Sequence, residues 1–451
     1  MVGRRVLKFG GAALKDGPAV ALAARIVRER GGERPLVVAS AHQGVTDLLE
    51  RAAREAAAGE RLWDELRIRH RTILRQLGLP GDLLDPQLRD LHAILGDLAR
   101  GGPADRRCRD FVLSFGERMS ARVLAAALRR EGMAATAQDA FDLDLVHEAE
   151  EDGGAVGPPP PRVGEALARM PGVAVVTGFL AQDRAGNVVT LGRNGSDLSA
   201  AWFAEAIGAE EIQLWKSVAG VHTADPALVP AARTLPALSF EEAAELSALG
   251  AAVLHPGTAE PARRAGIPIR VLSVAAPADP GTRIDVRPSA PGPLALAHRA
   301  AVSLWRLPLD PGFRRGEELA RILEAARTAG AAPWLVEASA GEAALVLRAG
   351  RAAGGAPPPP PARGELVAGL AAIGVVGEGA GADETLAAGV ERTLAAAGVE
   401  MRWAPGGRSP RGRVLLVPTP RLGEALRRLH AALLEGACEG IVSPAPAAGP
   451  S

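Results

Sequence analysis

The sequence predicts an α/β protein with a mostly parallel sheet, followed by two small α+β units. A chain of 451 residues is too long for a single core, which indicates two or three domains. Residues 4–9 and 35–41 are short apolar runs flanked by Gly or Pro, as buried parallel strands are, and a helical pattern lies between them. After residue 300, a strand–helix–strand–strand pattern occurs twice, which is typical of small α+β units.

The α/β pattern extends over residues 1–290. The first helix is expected from Pro18 to Arg30, where apolar residues recur at helical spacing. The proline run Gly157–Pro161 predicts a surface loop in polyproline conformation, and the Ala-, Pro- and Gly-rich residues 275–293 predict a linker. The other expected elements are a helical excursion over 47–100, helices over 117–131, 198–207 and 239–250, and strands over 172–177, 212–215 and 268–272.

The two α+β units are expected over residues 296–356 and 362–440, with a second proline run at 357–361 between them. The first unit is predicted to contain a strand over 300–306, a helix over 314–329 and strands over 334–339 and 343–348. The second is predicted to contain a strand over 370–376, a helix over 383–397, strands over 399–404 and 413–417, and a helix over 420–435.

Composition and charge exclude several classes of protein. Lys plus Arg and Asp plus Glu number 52 each, so no net field favours nucleic acid or an anionic membrane. No apolar run reaches the ~18 residues of a membrane helix, and the N-terminus does not have the pattern of a signal peptide. Cys108 and Cys438 have no metal-ligand spacing and the histidines are scattered, so we predict a reduced, cytoplasmic protein without a metal site.

Two segments point to chemistry. Near the start, a strand runs into Lys8 and then into Gly10 and Gly11, where backbone N–H groups can surround a phosphate beside a fixed positive charge. In the middle of the chain, Thr190–Asp197 places an arginine, a serine and an aspartate between glycines, the composition of a loop that holds a small zwitterion. Together these segments suggest phosphoryl transfer to an amino acid. No Gly-x-Gly-x-x-Gly or Walker-type motif is present.

Six segments, in the same order and spacing, resemble the aspartokinases. They are Lys8–Gly11, Ser40–Asp47, Ser114–Ser120, Val176–Phe179, Thr190–Asp197 and Val253–Pro256. The resemblance implies an amino-acid-kinase-type sheet sandwiched by helices over 1–290 and paired ACT-like modules behind it. It also implies transfer of the γ-phosphate from ATP, with Mg²⁺, to the side-chain carboxylate of L-aspartate. The product would be 4-phospho-L-aspartate, the first intermediate of lysine, threonine and methionine biosynthesis.

The resemblance assigns roles around the phosphate. Lys8 would neutralise charge on the transferring phosphoryl group, and Asp197 would orient Lys8 by a charge-assisted hydrogen bond. Asp197 or Ser196 would also suit the N-cap of the helix over 198–207. The nucleotide side would include Gly10, Gly11, Lys216, Gly220 and Asp225.

The amino-acid side is also assigned. The fork of Arg193 matches the two oxygens of the substrate α-carboxylate. Glu117, expected to open a helix, would take the α-ammonium group, although an acid is also favoured there by the helix N-terminus alone. Thr46, Phe179 and Ser196 fall where the family builds its aspartate pocket.

The nucleotide side departs from the family pattern. Ser217 and Ala219 stand where the family has aspartates, and Ala252 stands where it has a lysine that meets the nucleotide phosphates. Lys216 could supply that charge, or it could be a solvent-facing residue at a strand end. The alternative to an active kinase is therefore an aspartate-binding or regulatory paralogue with an eroded nucleotide site.

The C-terminal half is expected to form a homodimer. Strands 300–306 and 370–376 would lie near the contact, because their apolar faces need covering. The residues concerned are Val302, Leu304, Val375 and Val414–Val417. The loop Pro308–Gly312 would receive any effector carboxylate at the following helix N-terminus, with weak or absent inhibition by lysine or threonine.

Overall fold

The computed structural model divides the chain into two compact units. It describes residues 4–30, 34–55, 59–101, 104–147, 157–192, 194–251, 253–254, 256–287, 289–309, 315–328, 331–339, 341–348 and 364–435. The first unit comprises residues 1–221 and 254–286, and the second comprises residues 222–253 and 287–451.

The strands and helices are numbered along the chain. The strands are β1 (Arg5–Phe9), β2 (Leu36–Ala39), β3 (Ala135–Gln138), β4 (Val173–Thr177), β5 (Leu180–Gln182), β6 (Val188–Thr190), β7 (Glu211–Lys216), β8 (Ala237–Ser239), β9 (Ile269–Ser273), β10 (Thr282–Asp285), β11 (Ala295–Pro308), β12 (Ala332–Ala338), β13 (Glu342–Arg348), β14 (Glu365–Val376), β15 (Arg402–Ser409) and β16 (Gly412–Pro418). The helices are α1 (Gly17–Arg30), α2 (Val45–Arg54), α3 (Gly59–Leu77), α4 (Asp85–Gly101), α5 (Arg106–Arg130), α6 (Pro161–Arg169), α7 (Gly195–Ile207), α8 (Phe240–Ala248), α9 (Pro256–Arg264), α10 (Arg315–Thr328), α11 (Glu384–Ala396) and α12 (Leu422–His430).

The first unit is built on the predicted parallel sheet. Its strands follow the order β3-β4-β2-β1-β7-β9-β10, and the recorded pairings are parallel except between β9 and β10. The central strand β1 is buried from Val6 to Phe9, and Phe9 stacks on Trp215 of β7 at 6.1 Å between ring centroids. The residue that follows each parallel strand therefore lies at one edge of the sheet. Strand β10 occupies part of the segment 275–293, which we had predicted to be a linker.

Helix α5 begins at Arg106, so the prediction of a helix starting at residue 117 was wrong. Asp105 caps it by accepting a hydrogen bond from the Cys108 N–H at 2.8 Å. The helix continues through Gly116, where the glycine allows close packing: a Cβ there would lie 2.9 Å from the Cβ of Ala41. Glu117 is consequently a mid-helix residue rather than the first one.

Helix α7 begins at Gly195, ahead of the predicted position. Its N-cap is Asn194, in the left-handed conformation with φ 58° and without a capping side chain. Ser196 and Asp197 therefore lie inside the first turn, and neither is the N-cap. The proline run behaves as expected as far as Pro160, with φ −59° and ψ 142°, and Pro161 then opens α6.

The second unit contains a six-stranded antiparallel sheet in the order β12-β13-β11-β14-β16-β15. The long strands β11 and β14 pair along their length, from Ala295 opposite Val376 to Arg306 opposite Glu365. The two predicted modules thus share a central strand pair. Strand β11 is longer than predicted because it continues through an irregularity at Ala301, whose φ is 57°.

The apolar residues that we expected a partner subunit to cover are already buried within the chain. Val302, Leu304 and Val375 are each 1% exposed, and Val414–Val417 are also buried. The two strands expected near a subunit contact instead pair with each other. The proposed effector loop falls mostly outside the described residues, since 310–312 are not among them.

The outermost strands of this sheet, β12 and β15, approach each other. The N–H of Gly406 donates to Oε2 of Glu337 at 2.9 Å. A Cβ on Gly406, whose φ is +64°, would lie 2.4 Å from the carbonyl oxygen of Val336. In the part of the chain that the structure describes, we find no helix long and apolar enough to cross a membrane.

Candidate active site

A cavity of about 390 Å³ lies in the first unit, among the residues that follow its parallel strands. β1 contributes Lys8, the turn after it contributes Gly11, the segment after β2 contributes the loop Ser40–Gly44, and the segment after β4 contributes Phe179. Helices α2, α5 and α7 and the residues just before α7 supply the rest of the wall. The predicted residues that line the cavity are Lys8, Gly11, Thr46, Glu117, Phe179 and Ser196.

At one end of the cavity, the lining residue Lys8 is paired with a buried carboxylate, Asp197, that lies between two lysines. Asp197 and Lys216 are not themselves among the lining residues. Nζ of Lys8 lies 2.5 Å from Oδ1 of Asp197, and Nζ of Lys216 lies 3.6 Å from Oδ2 of the same side chain. Burial opposes ionisation of Asp197, but the charges of Lys8 and Lys216 outweigh it and hold the pKa of this carboxyl below its usual value. Lys216 is therefore not the solvent-facing residue of the alternative interpretation: its side chain is 23% exposed.

The glycine pair allows a close approach of two loops. A Cβ on Gly11 would lie 3.0 Å from the carbonyl oxygen of Ala41 and 3.5 Å from Cα of Gln43. The Gly10 N–H donates to the carbonyl oxygen of Trp215 at 3.3 Å, which fastens the turn to β7. A larger residue at position 11 would push the loop after β2 away from the lysine.

The other end of the cavity contains Glu117, which is 3% exposed. Its Oε1 accepts a hydrogen bond from the Ala41 N–H at 3.0 Å, while Oε2 is buried and has no hydrogen-bond partner among the described residues. Burial raises the pKa of Glu117 to about 8, although the Ala41 N–H and the charge of Lys8 act in the opposite direction. The carboxyl group is thus mostly protonated at pH 7, and a cation placed against Oε2 would favour its ionised form.

Three further predicted residues complete this wall. Phe179 adopts φ 65°, and its N–H donates to Oγ of Ser199 at 3.0 Å, so that α7 fixes its backbone. Thr46 and Ser196 lie in the first turns of α2 and α7. Arg193 is outside the described residues, but Gly192 and Asn194 on either side of it line the cavity.

Asp110 and His42 are site residues that sequence reasoning missed. Asp110 lies two turns before Glu117 on α5, and its Oδ1 accepts a hydrogen bond from the Thr190 hydroxyl at 3.0 Å. It thereby fixes the end of β6, immediately before the loop that carries Arg193. The seven-residue spacing from Asp110 to Glu117 would place both side chains on one face of a helix. That spacing could have identified Asp110 only if the helix had been predicted to start before it. His42 lines the cavity directly.

The remaining nucleotide-side residues are not among those that line this cavity. Gly220 has φ +124°, and the next N–H, of Val221, donates to the Thr282 hydroxyl at 2.9 Å. Asp225 belongs to the second unit, where its Oδ1 accepts a hydrogen bond from the Ala227 N–H at 2.9 Å. Ala252 lies outside the described residues.

Thr223 gives a structural reason for part of the motif after β7. This buried residue contacts Nε2 of His430 at 2.9 Å through its hydroxyl, which also accepts from the Arg233 N–H at 3.0 Å. The described residues contain no group of three or more His, Cys, Asp or Glu side chains arranged to hold a metal ion.

Comparisons with known proteins agree with this arrangement. The model of the amino acid kinase family matches residues 3–273. Aspartokinase 2, chloroplastic, of Arabidopsis thaliana is 35% identical over 292 residues, which are 62% of this chain and 54% of that protein. Lysine-sensitive aspartokinase 3 of Escherichia coli is 35% identical over 289 residues, 62% of this chain and 63% of that protein. The chain spans about half the length of the first curated relatives it matches.

Solved structures extend the likeness beyond the first unit. The crystal structure of E. coli aspartokinase III in complex with aspartate and ADP has a TM-score of 0.76 at 27% identity, and covers 96% of this chain and 100% of that chain. The structure of the same enzyme with lysine and aspartate gives a TM-score of 0.78, with the same identity and coverage.

Proposed function

Because this chain belongs to the amino acid kinase family, we propose that it transfers the γ-phosphate of ATP to the side-chain carboxylate of L-aspartate, with 4-phospho-L-aspartate and ADP as products. One observation carries the proposal: a single cavity is lined both by Lys8, which is paired with Asp197, and by a buried acid, Glu117, that has one oxygen without a hydrogen-bond partner among the described residues. The relatives that are named aspartokinase support the choice of aspartate. Such a reaction would begin the biosynthesis of lysine, threonine and methionine.

The reaction needs positioning and charge neutralisation rather than a protein nucleophile. A side-chain carboxylate oxygen of aspartate attacks the γ-phosphorus, the bond from phosphorus to the β–γ bridging oxygen breaks, and ADP leaves with that electron pair. Lys8, oriented by Asp197, neutralises charge on the phosphoryl oxygens. Glu117 binds the α-ammonium group, and Arg193 binds the α-carboxylate through its guanidinium fork. Thr46, Phe179 and Ser196 form the rest of the aspartate pocket.

We further propose that Lys216 supplies the second cation of the phosphate site. Its ammonium group shares Asp197 with Lys8, which leaves one net positive charge on the three side chains. Gly11 would present its backbone N–H to the phosphates. Gly10, whose N–H is bonded to the carbonyl oxygen of Trp215, would instead leave space for a phosphate beside Lys8. Gly220 and Asp225 are proposed for the nucleotide side on the resemblance alone. Mg²⁺ would accompany the phosphates of ATP as part of the substrate.

A hydroxamate assay with aspartate and ATP, run beside nucleotide-binding measurements, tests the activity. We expect aspartyl hydroxamate to form only when ATP, Mg²⁺ and aspartate are all present. Aspartate binding without ATP binding or hydroxamate formation would instead identify a paralogue with an eroded nucleotide site, as the alanine at position 252 would suggest.

Self-association through residues 296–451 and a cytoplasmic location are also proposed, on the resemblance and the cysteine content respectively. The covering of the apolar strands within the chain means that a dimer would use another surface. Light scattering of the full chain tests this proposal, because a dimer would have twice the 46.4 kDa mass of one chain. A mass of one chain at micromolar concentration would contradict it.

A further inference from the structure

His42 joins two loops of the cavity by one buried hydrogen bond. It lies on the loop between β2 and α2 and is 1% exposed. Its Nδ1 is 2.6 Å from the carbonyl oxygen of Leu14, the last residue of the short 3₁₀ turn Gly11–Leu14. Since a carbonyl oxygen can only accept, Nδ1 carries the proton. The bond therefore ties the loop Ser40–Gly44 to the turn that continues the glycine pair.

The same loop also contacts the amino-acid end of the cavity. The Ala41 N–H donates to Oε1 of Glu117, and the guanidinium of Arg69 donates to the carbonyl oxygen of Gln43. The loop Ser40–Gly44 is thus held to α5 by Ala41 and to the phosphate turn by His42. This loop therefore sets the distance between the phosphate turn Gly11–Leu14 and Glu117 on α5.

A second buried imidazole packs against the first. The rings of His42 and His70 have centroids 5.5 Å apart, and Nδ1 of His70 lies 2.7 Å from the carbonyl oxygen of Leu66 in its own helix. In both rings Nε2 is buried without a hydrogen-bond partner among the described residues. Burial lowers the pKa of His42 to about 3 and that of His70 to about 4, so both rings are neutral near pH 7.

We propose that His42 is a positioning residue for phosphoryl transfer. Its Nδ1–H fixes the distance between the phosphate turn Gly11–Leu14 and the loop Ser40–Gly44, and so between the phosphoryl group and the amino acid held at Glu117. The inference rests on the proposed function for its kinetic readout, while the bond itself can be tested without activity. His70 has the same chemistry but bonds within one helix, so it supplies the matched control.

Three variants separate positioning from packing. His42→Phe keeps a ring of similar size but loses the donor, and we expect kcat to fall by about 10- to 100-fold, because small misplacements of reacting groups have costs of this order. The KM values for aspartate and ATP should stay within about threefold, since neither ligand loses a direct contact. His42→Asn places an amide N–H where Nδ1 stood, and it should restore kcat to within about threefold of the parent. His70→Phe should lower Tm but leave kcat unchanged.

Hydrogen exchange on the same proteins provides a readout independent of turnover. In His42→Phe, the amides of residues 11–14 and 40–44 should exchange faster, whereas those in the core of β4 should not; His42→Asn should behave like the parent. Unchanged exchange and kcat in His42→Phe, failure of His42→Asn to restore either, or an equal kcat loss in folded His70→Phe would overturn the inference. If the parent transfers no phosphate to aspartate, the proposed function fails, and the exchange data alone decide whether His42 locks the loops.

Discussion

The two ends of the cavity are each built on a buried carboxyl group, and the two groups are in opposite states. Asp197 lies between two lysines, which keep its pKa below the usual value, so it is ionised at neutral pH. Glu117 has one backbone N–H and an unpartnered oxygen, and burial raises its pKa to about 8. Both side chains are nearly inaccessible to water.

The difference indicates which charges the chain supplies and which it leaves to a ligand. The cations beside Asp197 are residues of the protein, so that end is complete before substrate arrives. The Glu117 end has no cation against Oε2 among the described residues, and an ammonium group would fill the position. A buried acid of this kind is costly without a ligand, which favours a functional over a structural role.

Removing the cation nearest Asp197 should have the largest effect. In Lys8→Ala we expect turnover to fall by about three orders of magnitude or more, because the phosphoryl charge loses its nearest cation. Aspartate affinity should change by less than about twofold, since Lys8 is assigned to the phosphates. Lys15→Ala, which removes an exposed lysine just beyond the same turn, is the control and should behave like the parent in the hydroxamate assay. Parent-like turnover of Lys8→Ala would refute the phosphate assignment.

Removing the ionisable group at the Glu117 end should affect binding instead. Glu117→Gln retains an oxygen for the Ala41 N–H but cannot become an anion, so aspartate should bind about 2–4 kcal/mol more weakly. Arg193→Ala should weaken aspartate binding by a similar amount, because the α-carboxylate loses its partner. Calorimetric titration with aspartate measures both, and ATP affinity is the internal control. Unchanged aspartate affinity in either variant would remove that residue from the substrate site.

The assignment of the second cation is sharpened by a reciprocal pair of variants. If Lys216 supplies the charge, Lys216→Ala should lower turnover by about 10- to 100-fold, and Ala252→Lys should change it by less than about threefold. Steady-state kinetics with ATP as the varied substrate measures both. The reverse outcome, a silent Lys216→Ala and a more active Ala252→Lys, would show that position 252 still faces the phosphates and that Lys216 serves only to hold Asp197.

The smallest expected effect concerns the number of protons that are released when aspartate binds. With a pKa of about 8, Glu117 is protonated in about nine-tenths of free molecules at pH 7, and pairing with an ammonium group should lower this pKa. Aspartate binding should therefore release up to about one proton per site at pH 7, up to about half a proton at pH 8 and progressively fewer at higher pH. Titrations in buffers of different ionisation enthalpy measure this number. Release should vanish in Glu117→Gln; equal release in that variant would place the titrating group elsewhere.

Much of the fold could be predicted because its signals are local. The strand β1, with Lys8 near its end, and the apolar spacing of α1 depend on neighbouring residues alone, and both appear as expected. The start of α5 was predicted eleven residues too late, and the helix passes through Gly116, where the close approach of Ala41 is a tertiary contact that local sequence does not show. Likewise, the continuity of β11 through Ala301 depends on pairing with a strand about 70 residues later.

Site residues that lie in recognisable motifs could be predicted from the sequence, whereas residues whose role depends on tertiary contacts could not. Lys8, Glu117 and Asp197 stand in segments with a recognisable residue order. His42 also stands in such a segment, Ser40–Asp47, but its role could not be assigned there, because that role depends on the approach of a backbone carbonyl at Leu14 that no spacing encodes. The role of Asp110 likewise depends on a tertiary contact, since its hydroxyl donor is 80 residues away in sequence.

The approach of β12 and β15 has a consequence for aggregation. Sheets with exposed outer strands are templates for strand addition, by which copies of a chain stack edge to edge or exchange strands. In the second unit, an incoming strand at this junction would have to displace the contact between Gly406 and Glu337 and overcome the close packing against Val336. Both features oppose the addition of a strand from another copy at this junction, and so oppose edge-to-edge stacking of the sheet there.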